Sequence, residues 1–133
     1  MFKYVFGGWI GSTVGDLVEC YNPLDNKWFN ISTLPSLRYE FACIALKNSS
    51  FIYLIGGKST FDTKLSLVER FDVSSNSWQS CQSMNEKRSG CSCAIVNEKI
   101  IAIGGYNGRS VLSSCEIYDP LNVDILFTEL YIL

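Results

Sequence analysis

Adjacent glycines occur at Gly7-Gly8, Gly56-Gly57 and Gly104-Gly105, at intervals of 49 and 48 residues. A repeat of that length constrains a chain more than any single motif. One such unit cannot bury its own apolar face, so it must stack against copies of itself. Other residues keep the same phase. Glu19, Glu69 and Glu116 are each followed two positions later by an aromatic, Tyr21, Phe71 or Tyr118. Trp28 and Trp78 stand 50 apart, and so do Arg38 and Arg88.

Each unit reads as short strands separated by turn chemistry. Apolar, β-branched and aromatic runs precede each diglycine, at Phe2–Phe6, Phe51–Ile55 and Lys99–Ile103. A polar loop follows, and then a strand that ends in the Glu-x-aromatic: Leu17–Tyr21, Leu67–Phe71 and Ser114–Tyr118. Asn22–Asn26 and Asp72–Asn76 supply turns, since Asn, Asp and Ser bond local backbone and tolerate left-handed conformations. Strands opened by Trp28 and Trp78 come next. Loops through Arg38 and Arg88 then lead into Phe41–Leu46 and Cys91–Val96. No segment holds a helical period. The expectation is an all-β chain of four-stranded antiparallel blades, a β-propeller. In it the glycines give positive φ and close approach of a neighbouring backbone, with Trp28 and Trp78 lying over the Cβ-free surface.

The runs Ile52–Gly57, Val68-Glu69-Arg70-Phe71-Asp72, Asn76-Ser77-Trp78, Met84 and Arg88-Ser89-Gly90 closely resemble a kelch repeat. The first unit matches with Tyr4–Gly8, Val18–Pro23, Asn26-Lys27-Trp28, Leu34-Pro35 and Arg38; the third matches with Ile101–Gly108 and Cys115–Pro120. With strands lettered a (innermost) to d (outermost), the resemblance implies an incomplete kelch β-propeller of about 2.75 blades. Residues 1-32 form a first blade without its inner strand, 38-82 a complete second blade, and 88-133 a third. The third has a degenerate outer strand, because Val123 and Ile125 replace the expected Asn and Trp. The smaller propellers need about sixteen strands, so the chain is expected to be an arc of a larger ring, cut short or waiting for a partner. Gly7, Gly8, Glu19, Tyr21, Trp28, Gly56, Gly57, Glu69, Phe71, Trp78, Gly104, Gly105, Glu116 and Tyr118 are read as structural repeat residues.

Composition narrows the function. The chain has no histidine, which removes the usual general base near neutral pH and most zinc and copper sites. Kelch-type copper oxidases need histidines as well. No metal, no cofactor and no enzymatic activity are therefore expected. Eleven basic against thirteen acidic residues leave no field for nucleic acid. The N-terminus lacks the apolar stretch of a signal peptide, and runs such as Ile100–Ile103 are too short to cross a bilayer. A cytoplasmic protein is expected, with its six cysteines (20, 43, 81, 91, 93 and 115) as reduced core thiols.

The candidate contacts are loop residues carried on a rigid scaffold. In kelch propellers the b–c and d–a loops at one end grip partners. Here the b–c loops are Trp9–Asp16, Lys58–Ser66 and Tyr106–Ser113, and the d–a loops are Thr33–Glu40 and Ser83–Gly90. The resemblance implies a protein or peptide ligand at Trp9, Arg38, Tyr39, Lys58, Arg88, Ser89, Tyr106, Asn107 and Arg109. Arginine would read carboxylates and aromatics would anchor. For Arg38 and Arg88 a second reading stands beside this one, that they tie loop to blade. The resemblance further implies a protein–protein interaction module like the substrate-recognition propeller of BTB-kelch adaptors of cullin-RING ubiquitin ligases. Actin binding and self-association through exposed blade faces are the alternatives, with weak or no peptide binding expected of the chain alone.

Overall fold

The computed structural model describes residues 2–121 and 128–131. Among these, every regular element is a strand. The first sheet contains β1 (Lys3–Trp9), β2 (Val14–Asn22) and β3 (Lys27–Thr33), in that spatial order. The linking loop carries the two-residue strand β4 (Arg38–Tyr39). Next in the chain come β5 (Ala42–Ala45), β6 (Phe51–Ile55), β7 (Lys58–Ser59), β8 (Val68–Asp72) and β9 (Ser77–Ser80). Of these, β5-β6-β8-β9 form the second sheet, while β7 reaches back to pair with β4. The third sheet is β10 (Ser92–Val96), β11 (Lys99–Ile103), β12 (Ser114–Tyr118) and β13 (Thr128–Tyr131), again in chain order. All these pairings are antiparallel.

Side chains alternate across a strand, and β6 uses both directions. Ile52 and Leu54 join Phe6, Val18, Leu34 and Phe71 in a core between the first and second sheets. Tyr53 and Ile55 join Val68, Met84, Ile100, Ala102 and Tyr118 in a core between the second and third. A strand buried on both faces reads as an unbroken apolar run, which is how Phe51–Ile55 appears in the sequence. Burying one such leucine contributes about 1.5–3 kcal/mol.

The outer turns follow their chemistry. Asn26 and Asn76 take φ of 52° and 53°, in the left-handed region that asparagine tolerates. The Asp72 carboxylate accepts hydrogen bonds from the Ser74 hydroxyl and amide and from the Ser75 hydroxyl. Led by the Ser74 hydroxyl, these hold its carboxyl well below the usual range. The same turn ties sheets together, because Asn76 Nδ2 donates to the Ile31 carbonyl and Trp78 Nε1 to Ser32 Oγ.

One expectation changes. The tryptophans do not cover the glycines. Trp78 packs on Phe71 and Phe6 (ring centroids 5.0 and 5.9 Å) and Trp28 on Tyr21 (5.0 Å), so each lies over the aromatic of its neighbouring strand. What approaches a diglycine is loop backbone: a Cβ on Gly57 would stand 2.7 Å from the Tyr39 carbonyl oxygen, and one on Gly105 2.9 Å from that of Ser89. The outer strand of the third sheet is β13, whose Thr128 and Tyr131 pair with Ile117 and Ser114. Val123 and Ile125 lie outside the described residues.

Candidate functional site

The loops at the diglycine end are fixed by two buried arginines. Arg38 donates through Nη1 to the carbonyls of Gly56 and Leu67, and through Nη2 to the Leu54 carbonyl and Glu69 Oε2 at 3.0 Å. Arg88 repeats this one unit later, with Nε on Glu116 Oε1 (3.1 Å), Nη1 on the Gly104 and Ser114 carbonyls and Nη2 on Ser114 Oγ. A planar fork of five donors suits this, because it meets several acceptors at once. Both arginines have 0% exposed surface, so neither presents a donor to a partner. As contact residues they are corrected: they tie loop to blade. Ser89 is likewise buried and bridges Tyr106, donating its amide to the Tyr106 carbonyl (3.0 Å) and accepting the Tyr106 amide (2.9 Å).

With the loops so held, the residue after each diglycine lands beside a d–a loop. Tyr39 of β4 pairs with Lys58 of β7, and Ser89 pairs with Tyr106. Trp9, 56% exposed, has its ring 5.3 Å from the Tyr39 ring, centroid to centroid. Lys58 Nζ lies 5.3 Å from the same ring centroid. Lys64 Nζ is 5.7 Å from the centroid of Tyr106, which is 38% exposed. Aromatic faces and ammonium groups therefore lie side by side across one end of the molecule.

Two carboxylates set the electrostatics. Lys58 Nζ contacts Glu40 Oε1 at 2.9 Å and Asp62 Oδ1 at 3.5 Å, while Lys64 Nζ contacts Asp62 Oδ2 at 2.7 Å. The hydrogen bond to Glu40 raises the Lys58 pKa, and the hydrogen bond from Lys64 lowers that of Asp62. Two shallow cavities of about 400 Å³ open here. One is lined by Trp9, Tyr39, Glu40 and Lys58, and the other includes Lys58, Lys64, Ser89, Tyr106 and Val111. The charges here are thus paired with one another beside exposed rings.

Of the residues expected here, the fold brings Trp9, Tyr39, Lys58 and Tyr106 together. Asn107 serves its own turn, its Oδ1 accepting the Arg109 and Ser110 amides, while Arg109 is exposed. Glu40, Asp62 and Lys64 were not singled out in the sequence. The signal was the Lys58-x-x-x-Asp62-x-Lys64 spacing within one loop. A larger cavity, about 640 Å³, opens at the a–b turns and includes Leu46, Phe51, Tyr53, Arg70, Ile95 and Leu121. Arg70 is already engaged there, with Nη2 on Gln79 Oε1 at 2.6 Å and its guanidinium 4.1 Å from the Phe51 centroid. All six cysteines are free thiols; Cys43 is exposed rather than core, and burial pushes the Cys93 thiol up to about 11. Among the described residues no group of three or more side chains could hold a metal, and no helix is long and apolar enough to cross a membrane.

Comparison with known proteins gives one consistent family. The model of the Kelch motif matches residues 4–35, 52–85 and 87–122. Human Kelch-like protein 23 is 34% identical over 122 residues, 88% of this chain but 20% of that protein. Mouse Kelch-like protein 28 is 34% identical over 104 residues, covering 73% of this chain and 18% of its own. The Caenorhabditis elegans Kelch repeat-containing protein kel-10 is 31% identical over 123 residues, 86% and 21% respectively. This chain thus spans about a fifth of the length of these relatives. The solved structure of YjhT superposes with a TM-score of 0.83 at 17% identity, over 99% of this chain and 49% of that one.

Proposed function

Because the chain belongs to the kelch-repeat family and folds as part of a kelch propeller, we propose that it is a non-enzymatic protein-interaction module that contacts its partner through Trp9, Tyr39, Lys58 and Tyr106. One observation carries this reading: the Trp9 ring and Lys58 Nζ each lie 5.3 Å from the centre of the Tyr39 ring, at an end where the loops are immobilised from beneath. Exposed aromatics on a pre-organised support bind at low entropic cost. The finer reading is that this end recognises targets for a BTB-kelch type adaptor, with ligase recruitment carried by other segments.

Affinity capture from cell lysate tests this with three baits: the natural chain, the Trp9→Ala/Tyr106→Ala double variant, and Leu24→Ala. Leu24 is 91% exposed in an outer turn and serves as a control for surface change alone. A protein retained by the natural and Leu24→Ala baits but lost from the double variant supports the reading. Retention that is indifferent to the double variant contradicts it, once circular dichroism shows all three baits folded.

A further inference from the structure

The ion cluster at the diglycine end is layered. Lys58 and Lys64 leave 19% and 14% of their side chains exposed, while their partners Glu40 and Asp62 leave 43% and 64%. The ammonium groups sit inward beside the Tyr39 and Tyr106 rings, and the carboxylates stand outward. Two cations and two anions balance, yet an approaching chain meets the negative groups first.

Of the two carboxylates, Glu40 is the less engaged. Asp62 has a lysine on each oxygen, whereas Lys58 is the one cation within ion-pair distance of Glu40 among the described residues. Lys58 also keeps Asp62 at 3.5 Å, so Glu40 can share its charge with a partner without leaving an ammonium group unpaired. The fold itself does not call for a carboxylate at this position. Glu40 holds φ of 53°, and its counterpart after Arg88-Ser89 in the next unit, Gly90, holds 62°. Left-handed backbone favours glycine, and a partly exposed ion pair adds little to stability. With Lys58, Glu40 lines both shallow cavities. The one formed by loops of the second and third sheets also contains Tyr106, Val111 and Gly90.

We infer that Glu40 is the specificity-determining residue of the contact face, and that it receives an arginine flanked by apolar residues in the partner. The inference rests on the function proposed above and adds the partner's chemistry. A guanidinium offers paired N–H donors that match a carboxylate in its plane, and its flat face stacks on aromatic rings. Tyr106 supplies a ring in the same cavity, and Val111, 83% exposed, supplies apolar contact for a neighbouring side chain. A Cβ added to Gly90 would meet nothing within 4 Å, so there is room for the arginine stem. An acidic guest meets the reverse, because it must pass two exposed carboxylates to reach lysines that are already paired.

The test is a nuclear magnetic resonance titration of the whole isotope-labelled chain with three probes that differ only at the centre. They are N-acetyl-Leu-Arg-Leu amide, its citrulline analogue, which keeps the shape without the charge, and its glutamate analogue. Saturable shifts of the Glu40, Gly90 and Tyr106 amides are expected with the arginine peptide. Binding of the citrulline peptide should be at least about tenfold weaker, because a charge-assisted pair is lost. The Glu40→Gln and Glu40→Gly chains should bind the arginine peptide as weakly as the natural chain binds the citrulline peptide, and all three chains should bind citrulline alike. Their spectra also show that the fold is kept. Equal binding of the arginine and citrulline peptides overturns the inference, as does tighter binding of the glutamate peptide or indifference to both Glu40 variants. So does a lack of saturation by about 10 mM arginine peptide. The capture experiment above uses no peptide and decides the wider reading separately. A captured protein lost with Trp9→Ala/Tyr106→Ala but fully retained by Glu40→Gln sustains the contact face and overturns the role given to Glu40.

Discussion

The first and second sheets carry the same signature and live in different surroundings. Each has a diglycine, a Glu-x-aromatic and an outer tryptophan, and their strands pair in one register. Yet Leu54 is sealed between two sheets, while Val5 at the same position faces outward. Glu69 holds a buried arginine, whereas among the described residues no arginine pairs with Glu19. Gly57 has the Tyr39 carbonyl against it, whereas a Cβ on Gly8 would meet nothing within 4 Å. Sequence therefore specifies a blade, and the preceding loop with its inner strand decides how much that specification is worth.

The largest effect should come from breaking an arginine site. Arg88→Ala leaves Glu116 buried without its guanidinium and should cost about 3–5 kcal/mol in urea unfolding. Arg38→Ala should cost somewhat less, because Arg38 Nε already lacks a partner while every Arg88 nitrogen is engaged. Glu19→Gln should stay within about 0.5 kcal/mol, as expected of a side chain that anchors nothing within the chain. A large loss there would erase the distinction between the two sheets.

Core truncation comes next. Leu54→Ala should cost about 2–5 kcal/mol through lost burial and the cavity left behind, against less than about 1 for Val5→Ala. Glycine substitution should split the same way but more gently. Gly57→Ala adds a clash with the Tyr39 carbonyl to the strain of φ +100°, while Gly8→Ala at φ +94° carries the strain alone. About 1–3 kcal/mol is expected for Gly57→Ala, and Gly8→Ala belongs at the bottom of that range. Equal values would mean that the loop beside Gly57 yields freely. Smallest of all, Trp9→Ala and Tyr106→Ala should move the unfolding midpoint little, since both rings are exposed.

Periodicity made the fold legible, because residues that recur in phase must do the same work in each unit. The apolar run Phe51–Ile55 announced a strand covered on both sides, and the structure covers it. The site was read less completely. Whether Arg38 and Arg88 face a partner or their own blade depends on where a long side chain turns, and spacing does not encode that direction. The Asp62 bridge to Lys58 and Lys64 leaves no periodic signal, because its members share a loop rather than a repeat position. Trp28 and Trp78 recur in phase with the diglycines, but recurrence does not encode which neighbour a ring packs on, and loop backbone takes the place beside Gly57 and Gly105.

The central claim is that the first blade is open where the second is closed, and native-state hydrogen exchange measures this directly. The amides of Ile52–Ile55 should exchange only through global unfolding. Those of Lys3–Phe6 that do not pair with β2 should exchange orders of magnitude faster in the same sample. Equal protection of the two strands would mean that the edge of β1 is already covered, and would contradict the account.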